Sequence, residues 1–317
     1  NPLLSRQPGI VAFSKVLTES NTTHKSVPML MSDITAYNFD SIYHQKGIIT
    51  AFKEAGYQTA FFSNQRYNHS FIDFFGKEAD TFDFIKEDSL DSAYNPSDDE
   101  LLALVAKELS KGNQKQFIVL HTYGSHFNYR ERYPSEDAFF LPDYPVEAEV
   151  KYRDNLVNAY DNTIRYTDSF LSRLIHMLEE QHVDAAMLYT SDHGEDIFDD
   201  SRHLFLHASP VPSYYQLHVP FLIWMSDTYR EAYPEHWQTV TKNKDKDLSS
   251  SRSFFPTMLE LGGVQTSYRN DSSSVVSPLY TMKPRVYLND HNEPRPLDDL
   301  GMKQPDFQKC QVLGIRY

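Results

Sequence analysis

Asp192, His193 and Glu195 fall within one short run, Ser191-Asp192-His193-Gly194-Glu195-Asp196, directly behind the apolar stretch Ala185-Ala186-Met187-Leu188-Tyr189-Thr190. A hard carboxylate oxygen and an imidazole nitrogen in one tight turn suit a divalent metal, and Gly194 lets the backbone bend there. An apolar run of that length bounded by polar residues predicts a buried strand. In open α/β sheets, ligands and catalytic groups collect just beyond the carboxyl ends of strands. An ordinary acidic turn would contain the same residues, but charge half-buried behind an apolar strand needs a partner such as a metal.

Three further segments carry groups that could complete a site. In Asn21-Thr22-Thr23-His24-Lys25-Ser26-Val27-Pro28, polar residues precede an apolar helical start, Val27 to Met31. A hydroxyl at a helix N-terminus faces free backbone N–H groups and the positive end of the dipole, a setting that suits phosphate. Thr22 or Thr23 would serve as a nucleophile if a metal lowered its pKa; a plain N-cap fits the same spacing. The second segment is His121-Thr122-Tyr123-Gly124-Ser125-His126, where the strand-end position singles out His126 over a solvated loop histidine. The third is Arg202-His203-Leu204-Phe205-Leu206-His207, close enough in sequence to Asp192 for His203 or His207 to support its ligands or to bind a second metal.

The elements that must position these groups follow from hydrophobic period. Strands are predicted at 9–13, 59–62, 117–121, 185–190, 219–225 and 285–288. Ile48, Ile49, Phe52 and Ala55 have helical spacing, with Gly56 as the C-terminal cap. Ser97 and Glu100 form a capping-box pattern ahead of a helix to Leu109. A long helix is expected from about Glu147 to Glu180, striped by Leu156, Tyr160, Ile164, Leu171, Leu174 and Ile175. A further helix covers Phe254 to Leu261 before Gly262-Gly263. The Ser-rich stretch 265–277 reads as a surface loop and 289–308 as an irregular tail. No internal repeat or low-complexity segment interrupts this pattern. Alternation of this kind predicts an α/β fold with a mostly parallel central sheet and helices on both faces. We expect residues 1–317 to form a single domain.

Composition narrows the function. The net charge is -14, which argues against nucleic acid as partner, since phosphate binding needs clustered Lys and Arg. It argues equally against simple adsorption to anionic lipid. A metalloenzyme whose cation supplies positive charge locally is compatible with it. The single cysteine, Cys310, excludes an internal disulfide and any cysteine-based zinc site; it is expected to be structural. The sequence starts at Asn1 with no signal-peptide pattern, and no apolar run approaches the ~20 residues that span a bilayer. We read it as a soluble piece of something longer.

Taken in order, Thr23-x-x-Ser26-Val27-Pro28, Ser125-His126 with Tyr129-Arg130-Glu131-Arg132-Tyr133-Pro134, Tyr160-Asp161-Asn162-Thr163-Ile164-Arg165-Tyr166, Ser191-Asp192-His193-Gly194-Glu195, Leu206-His207 and His218-Val219-Pro220-Phe221-Leu222-Ile223-Trp224 resemble the bacterial phosphoethanolamine transferases of the alkaline phosphatase and sulfatase superfamily. The resemblance covers nearly the whole chain and implies an alkaline phosphatase/sulfatase-like sandwich. It implies that Thr23 is the nucleophile and a zinc ligand, that Asp192 and His193 are zinc ligands, and that Ser125, His126 and His207 surround the transferred phosphate, the two histidines also as acid or base. His126 and His207 are thus expected to converge on one cleft with Asp192. Manganese would satisfy the same hard oxygens. A fourth ligand, a Glu on a strand upstream of the Thr loop, would lie before Asn1. The implied reaction moves phosphoethanolamine from phosphatidylethanolamine to lipid A or a core sugar of lipopolysaccharide through a phosphothreonine. The implied location is the inner membrane, with the catalytic domain facing the periplasm and membrane contact through a separate N-terminal domain.

Two features look more like the core-sugar-modifying branch: the lack of disulfides, and Ser125-His126-Phe127-Asn128 where lipid A members have Asn-His-Gly-Pro. Other superfamily chemistries stay open, among them a phosphoglycerol transferase, a phosphodiesterase or a sulfatase. A sulfatase would need an Arg two residues past the Pro, where this chain has Leu30. A binding domain that kept only the fold would have no use for an intact Thr23, Asp192, His193, His126 and His207.

Overall fold

The computed structural model describes residues 1–67, 69–86, 95–112 and 115–317. In chain order the elements are β1 (Ile10–Phe13), β2 (Val16–Leu17), α1 (Thr23–Met31), α2 (Ile48–Glu54), β3 (Gln58–Ser63), α3 (Phe71–Gly76), β4 (Thr81–Phe84), α4 (Glu100–Leu109), β5 (Gln116–His121), α5 (Arg153–Glu179) and β6 (Ala186–Thr190). They continue with β7 (Asp196–Ile197), β8 (Phe205–Leu206), α6 (Tyr214–Leu217), β9 (Phe221–Met225), α7 (Asp227–Ala232), α8 (Pro234–Asn243), β10 (Leu248–Ser249), α9 (Ser250–Leu261), β11 (Val286–Leu288), β12 (Pro294–Pro296) and α10 (Gln304–Val312). Every apolar run read as a strand is one. Among the described residues no helix is long and apolar enough to cross a membrane.

The chain divides into two compact units, each assembled from three separate segments. The first comprises Asn1–Pro8, Gly56–Gln181 and Ile197–Leu206. Its sheet has the order β4-β3-β5 and is parallel throughout, with Phe61 opposite both Phe82 and Val119. The helices α3 and α4 cover it through Phe75, Leu101 and Val105, all buried. Helix α5 buries Leu156 and Ala159 against Tyr129 and Val146.

The second unit comprises Gly9–Ala55, His182–Asp196 and His207–Tyr317. Its sheet has the order β1-β9-β6. Here β9 runs antiparallel to both neighbours, so β1 and β6 are parallel to each other. Strand period predicts where a strand lies and leaves its direction open. Val11, Phe13, Phe221, Ile223 and Met225 pack with Tyr229, Val240 and Leu261 in one core.

Four local expectations change. The capping box at Ser97 does not form: Asp99 is the N-cap without a side-chain cap bond, and Ser97 Oγ accepts from the Asp99 N–H and bonds the Tyr166 hydroxyl. Helix α5 starts at Arg153, because Glu149 is extended and a 3₁₀ turn over Val150–Tyr152 intervenes. The stretch 265–277 is not all surface: Val275 and Val276 are fully buried, held by Thr257 Oγ1 and Asn243 Nδ2. The tail at 289–308 is not irregular: it includes β12 and the start of α10, with Leu297 and Met302 in a core beside Cys310. Burial pushes the Cys310 thiol up to about 11, which leaves it inert as a nucleophile.

Candidate active site

Thr23 is the first residue of α1, and Thr22 is its N-cap. Thr22 makes no side-chain cap bond; its hydroxyl meets Ser20 Oγ at 3.2 Å. The Thr23 hydroxyl is not spent on capping either. It points at His193 Nε2, 3.1 Å away. Ser26 explains its place in the motif, since its Oγ donates to Ser20 O at 2.9 Å and folds the loop back onto the first helical turn. The Thr23 hydroxyl thus meets a partner 170 residues along the chain.

His193 follows directly from the end of β6. Its Nδ1 bonds Gly194 O at 2.9 Å, and a carbonyl only accepts, so Nδ1 carries the proton and Nε2 the lone pair. Ser191 Oγ donates to His193 O at 2.6 Å and tightens the turn. Gly194 is required here for a steric reason: a Cβ would overlap the carbonyl oxygen of Tyr215 and press on that of His218 at 3.1 Å. Asp192 Oδ2 lies 3.4 Å from the same Nε2.

One nitrogen lone pair, one hydroxyl and one carboxylate thus converge. Their separations of 3.1 and 3.4 Å match neighbouring ligands of tetrahedral zinc, whose bonds of about 2.0–2.2 Å place donor atoms about 3.3 Å apart. A ring N–H donated to a backbone carbonyl is the usual support for a metal-binding histidine. Among the described residues no group of three or more His, Cys, Asp or Glu side chains is arranged to hold a metal; this donor set has two, with the Thr23 hydroxyl as a third.

His207 stands beside this set. Its ring lies 4.0 Å from that of His193, centroid to centroid. Its Nδ1 donates to Glu195 Oε1 at 3.1 Å, and only 6% of the Glu195 side chain is exposed. Leu206 and Ala208, on either side, have φ of +65° and +62°. Left-handed backbone at non-glycine residues costs roughly 1 kcal/mol each and gathers where function needs it.

Next to Thr23 on α1 are two nitrogen bases. Lys25 is buried and donates from Nζ to Asn289 O at 2.7 Å. Burial lowers its pKa against the pull of Asp290. His24 is also lowered, by burial first and by Lys25 second, again opposed by Asp290.

Ser125 and His126 belong to the other compact unit. Ser125 Oγ bonds Thr163 Oγ1 on α5 at 2.6 Å. His126 is exposed, its Nδ1 at 2.5 Å from its neighbour's carbonyl, Phe127 O. The ring of Tyr123 meets it edge-on at 5.1 Å. Tyr123 also lines a cavity of about 220 Å³ with Asp98, Arg132 and Asn64. So the structure brings Thr23, Asp192, His193 and His207 together, and holds Ser125 and His126 by partners of their own. His203 belongs to the other compact unit, where its backbone N–H closes a turn on Asp200 O. Sequence reasoning missed the buried side chains behind the cluster, Gln216 above all. A lone Gln in Tyr214-Tyr215-Gln216-Leu217 carries no pattern that would have found it.

Comparison with known proteins adds three relatives. The phosphoethanolamine transferase EptA of Salmonella typhimurium is 28% identical over 287 residues, 88% of this chain and 51% of that protein. The Kdo(2)-lipid A phosphoethanolamine 7''-transferase of Escherichia coli is 36% identical over 159 residues, 49% of this chain and 27% of that protein. The C-terminal periplasmic domain of EptC from Escherichia coli, solved as a complex with Zn, superposes with a TM-score of 0.84 at 22% identity, covering 95% of this chain and 85% of that one. That likeness shows the alkaline phosphatase/sulfatase-like fold. The chain spans about half the length of the curated relatives it matches. The Sulfatase family model matches residues 1–264, and the chain belongs to that family.

Proposed function

We propose that this chain is the catalytic part of a phosphoethanolamine transferase. It would move phosphoethanolamine from phosphatidylethanolamine to a lipid A or core-sugar hydroxyl of lipopolysaccharide. The observation that carries this reading is the Thr23 hydroxyl at the N-terminus of α1, 3.1 Å from His193 Nε2 and so inside the donor set with Asp192. The names of the relatives support the group transferred and the acceptor class. The Zn complex of the EptC domain supports zinc as the metal; the convergence of Thr23, Asp192 and His193 supports those three as the residues that would hold it. The bound cation would stabilise negative charge on the phosphoryl group and favour ionised Thr23 at neutral pH.

In the first half-reaction Thr23 Oγ attacks phosphorus from the end of α1, where backbone N–H groups face the anion. The bond to the diacylglycerol oxygen breaks. That oxygen takes up a proton, balancing the one lost by Thr23, and phosphoethanolamine remains on Thr23. In the second, an acceptor hydroxyl attacks the phosphothreonine and Thr23 is released. His207, oriented by Glu195, and His126, exposed and beside Ser125, would hold the phosphate oxygens and carry protons. This role requires both rings to reach the phosphate on Thr23. The segments of the two units alternate along the chain and the family model runs across both, which supports reading 1–317 as one catalytic domain. The word periplasmic in the name of the EptC domain supports the same compartment here, with membrane contact through a separate membrane domain.

The test is direct. Zinc-loaded full-length protein is incubated with phosphatidylethanolamine in detergent, digested, and its peptides weighed. We expect phosphoethanolamine on Thr23 and stoichiometric diacylglycerol. Label on Thr22, or diacylglycerol released with no labelled peptide in wild type or in a variant blocked in the second step, overturns the reading.

A further inference from the structure

Gln216 is fully buried and uses every polar atom it has. Its Nε2 donates to Asp196 Oδ2 at 2.6 Å and to Ser209 Oγ at 2.9 Å. Its Oε1 accepts from Asn21 Nδ2 at 2.6 Å. Its backbone O accepts the Gly194 N–H at 2.9 Å, and its own N–H goes to Ser213 Oγ at 3.2 Å. The direction of the side-chain bonds is fixed by chemistry. The Asp196 carboxylate only accepts, so Nε2 must face it and Oε1 must face Asn21. Asn21 then offers Oδ1 to the Tyr287 hydroxyl, at 2.6 Å, and Nδ2 also to Ser209 O, at 3.0 Å.

The partners of this one amide lie on three separate segments of the chain. Asn21 is two residues before Thr23. Asp196 directly follows Glu195, the carboxylate that orients His207. Ser209 is two residues after His207, and the neighbouring Ala208, at positive φ, donates its N–H to Asn21 O at 3.3 Å. A planar amide with one acceptor and two donors at fixed angles therefore sets where Thr23, Glu195 and His207 stand relative to one another.

We propose that Gln216 is a positioning residue for the transfer, keying the nucleophile loop to the two loops that carry His193 and His207. This rests on the function proposed above. Loss of a support of this kind typically costs 10–100-fold in rate or metal affinity.

Gln216→Glu and Gln216→Leu separate positioning from bulk stability. In the Glu variant a second carboxyl faces Asp196. Two carboxyls that close share a proton, so the variant imitates glutamine when protonated and repels Asp196 when ionised. We expect its kcat to approach wild type at acid pH and to fall away as pH rises, with KM for the lipid donor little changed. Gln216→Leu should lose roughly 10–100-fold at every pH. Side-chain NMR of His193 and His207 reads the same geometry with no turnover, and both imidazoles should move in the Leu variant. If Gln216→Leu fails to fold, the pH series of Gln216→Glu decides. A folded Leu variant with native kcat and native imidazole signals overturns the proposal, as does a Glu variant whose pH profile parallels wild type. Should the full-length protein transfer nothing, the function is wrong, and the imidazole signals still decide whether Gln216 positions these loops.

Discussion

At the carboxyl end of β6, His193 is buried, its Nδ1 tied to Gly194 O and its Nε2 facing Thr23 and Asp192. At the carboxyl end of β5, His126 is exposed, its Nδ1 beside the adjacent carbonyl and Tyr123 at its edge. Both sit in short turns containing one glycine, after apolar strands of similar length. The first turn is fixed from behind by the bonds of Gln216 and by close backbone packing at Gly194. The second leaves its ring in solvent. Order of the first kind belongs where bond making must be geometrically exact, because its entropy cost is met during folding and not at the moment of reaction.

The largest effect expected from this contrast is at Thr23. Thr23→Ala should abolish labelling and cut transfer by roughly 10³-fold or more, as for loss of a covalent nucleophile. Thr22→Ala should keep most of it, since that hydroxyl meets Ser20 Oγ and not His193. Equal losses in steady-state assays would mean that the ordered turn does not mark the nucleophile.

The two histidines come next. His207→Ala and His126→Ala should each lower kcat by roughly 10²-fold or more if the rings act as acid or base. They should differ in stability. His207→Ala leaves the nearly buried Glu195 without that donor and should lower Tm by several degrees. His126→Ala removes an exposed ring and should leave stability within about 0.5 kcal/mol. A thermal melt of the His126 variant as depressed as that of His207 would erase the distinction.

The two glycines give a matched pair of backbone probes. Gly194→Ala must push apart the β6 turn and the Tyr215 carbonyl, at a cost of about 2–3 kcal/mol. Gly124 has φ of +59° and open space, its nearest neighbour being Thr122 Oγ1 at 3.7 Å. Gly124→Ala should therefore cost only the left-handed strain, about 1 kcal/mol. Denaturant midpoints of the two variants measure the difference, and the reverse order would contradict the packing described.

What the sequence made legible is what is local. The apolar run 186–190 and the ligand types of Asp192 and His193 are adjacent, so strand, turn and chemistry were readable together. The spacing Thr23-x-x-Ser26-Val27-Pro28 already favoured Thr23 over Thr22, but the partner of its hydroxyl, His193 in the turn after β6, lies 170 residues away and was not legible. The polar side chains at Asn21, Asp196, Ser209 and Gln216 look like ordinary surface residues in sequence; burial with mutual hydrogen bonds is a tertiary fact. The Ser-rich stretch 265–277 misled for a related reason, since Ser273, Ser274, Val275, Val276 and Ser277 are buried by tertiary packing that composition does not show. Strand direction was invisible as well, and β9 runs against its neighbours.

The smallest effect concerns what burial costs the Thr23 unit. Asp33 lies just past the end of α1, half-buried, and burial pushes its carboxyl up to about 6 from the usual 3.8. Below about pH 4 the residue is protonated in both folded and unfolded chains and costs nothing. Between there and about 6 the folded chain holds the proton more tightly than the unfolded one, so stability falls as pH rises. Above about 6 the full cost is present. Asp33→Asn should accordingly stabilise by about 1–2 kcal/mol at pH 7, allowing for partial exposure, and by nothing near pH 4. In the other unit Asp161 on α5 is raised by burial too, so Asp161→Asn should show the same sign. Urea unfolding of both variants at the two pH values is the measurement. A gain from Asp33→Asn that persists at pH 4 would trace to something other than the carboxylate charge, and a larger gain at Asp161 would place the greater cost of buried charge in the unit of His126.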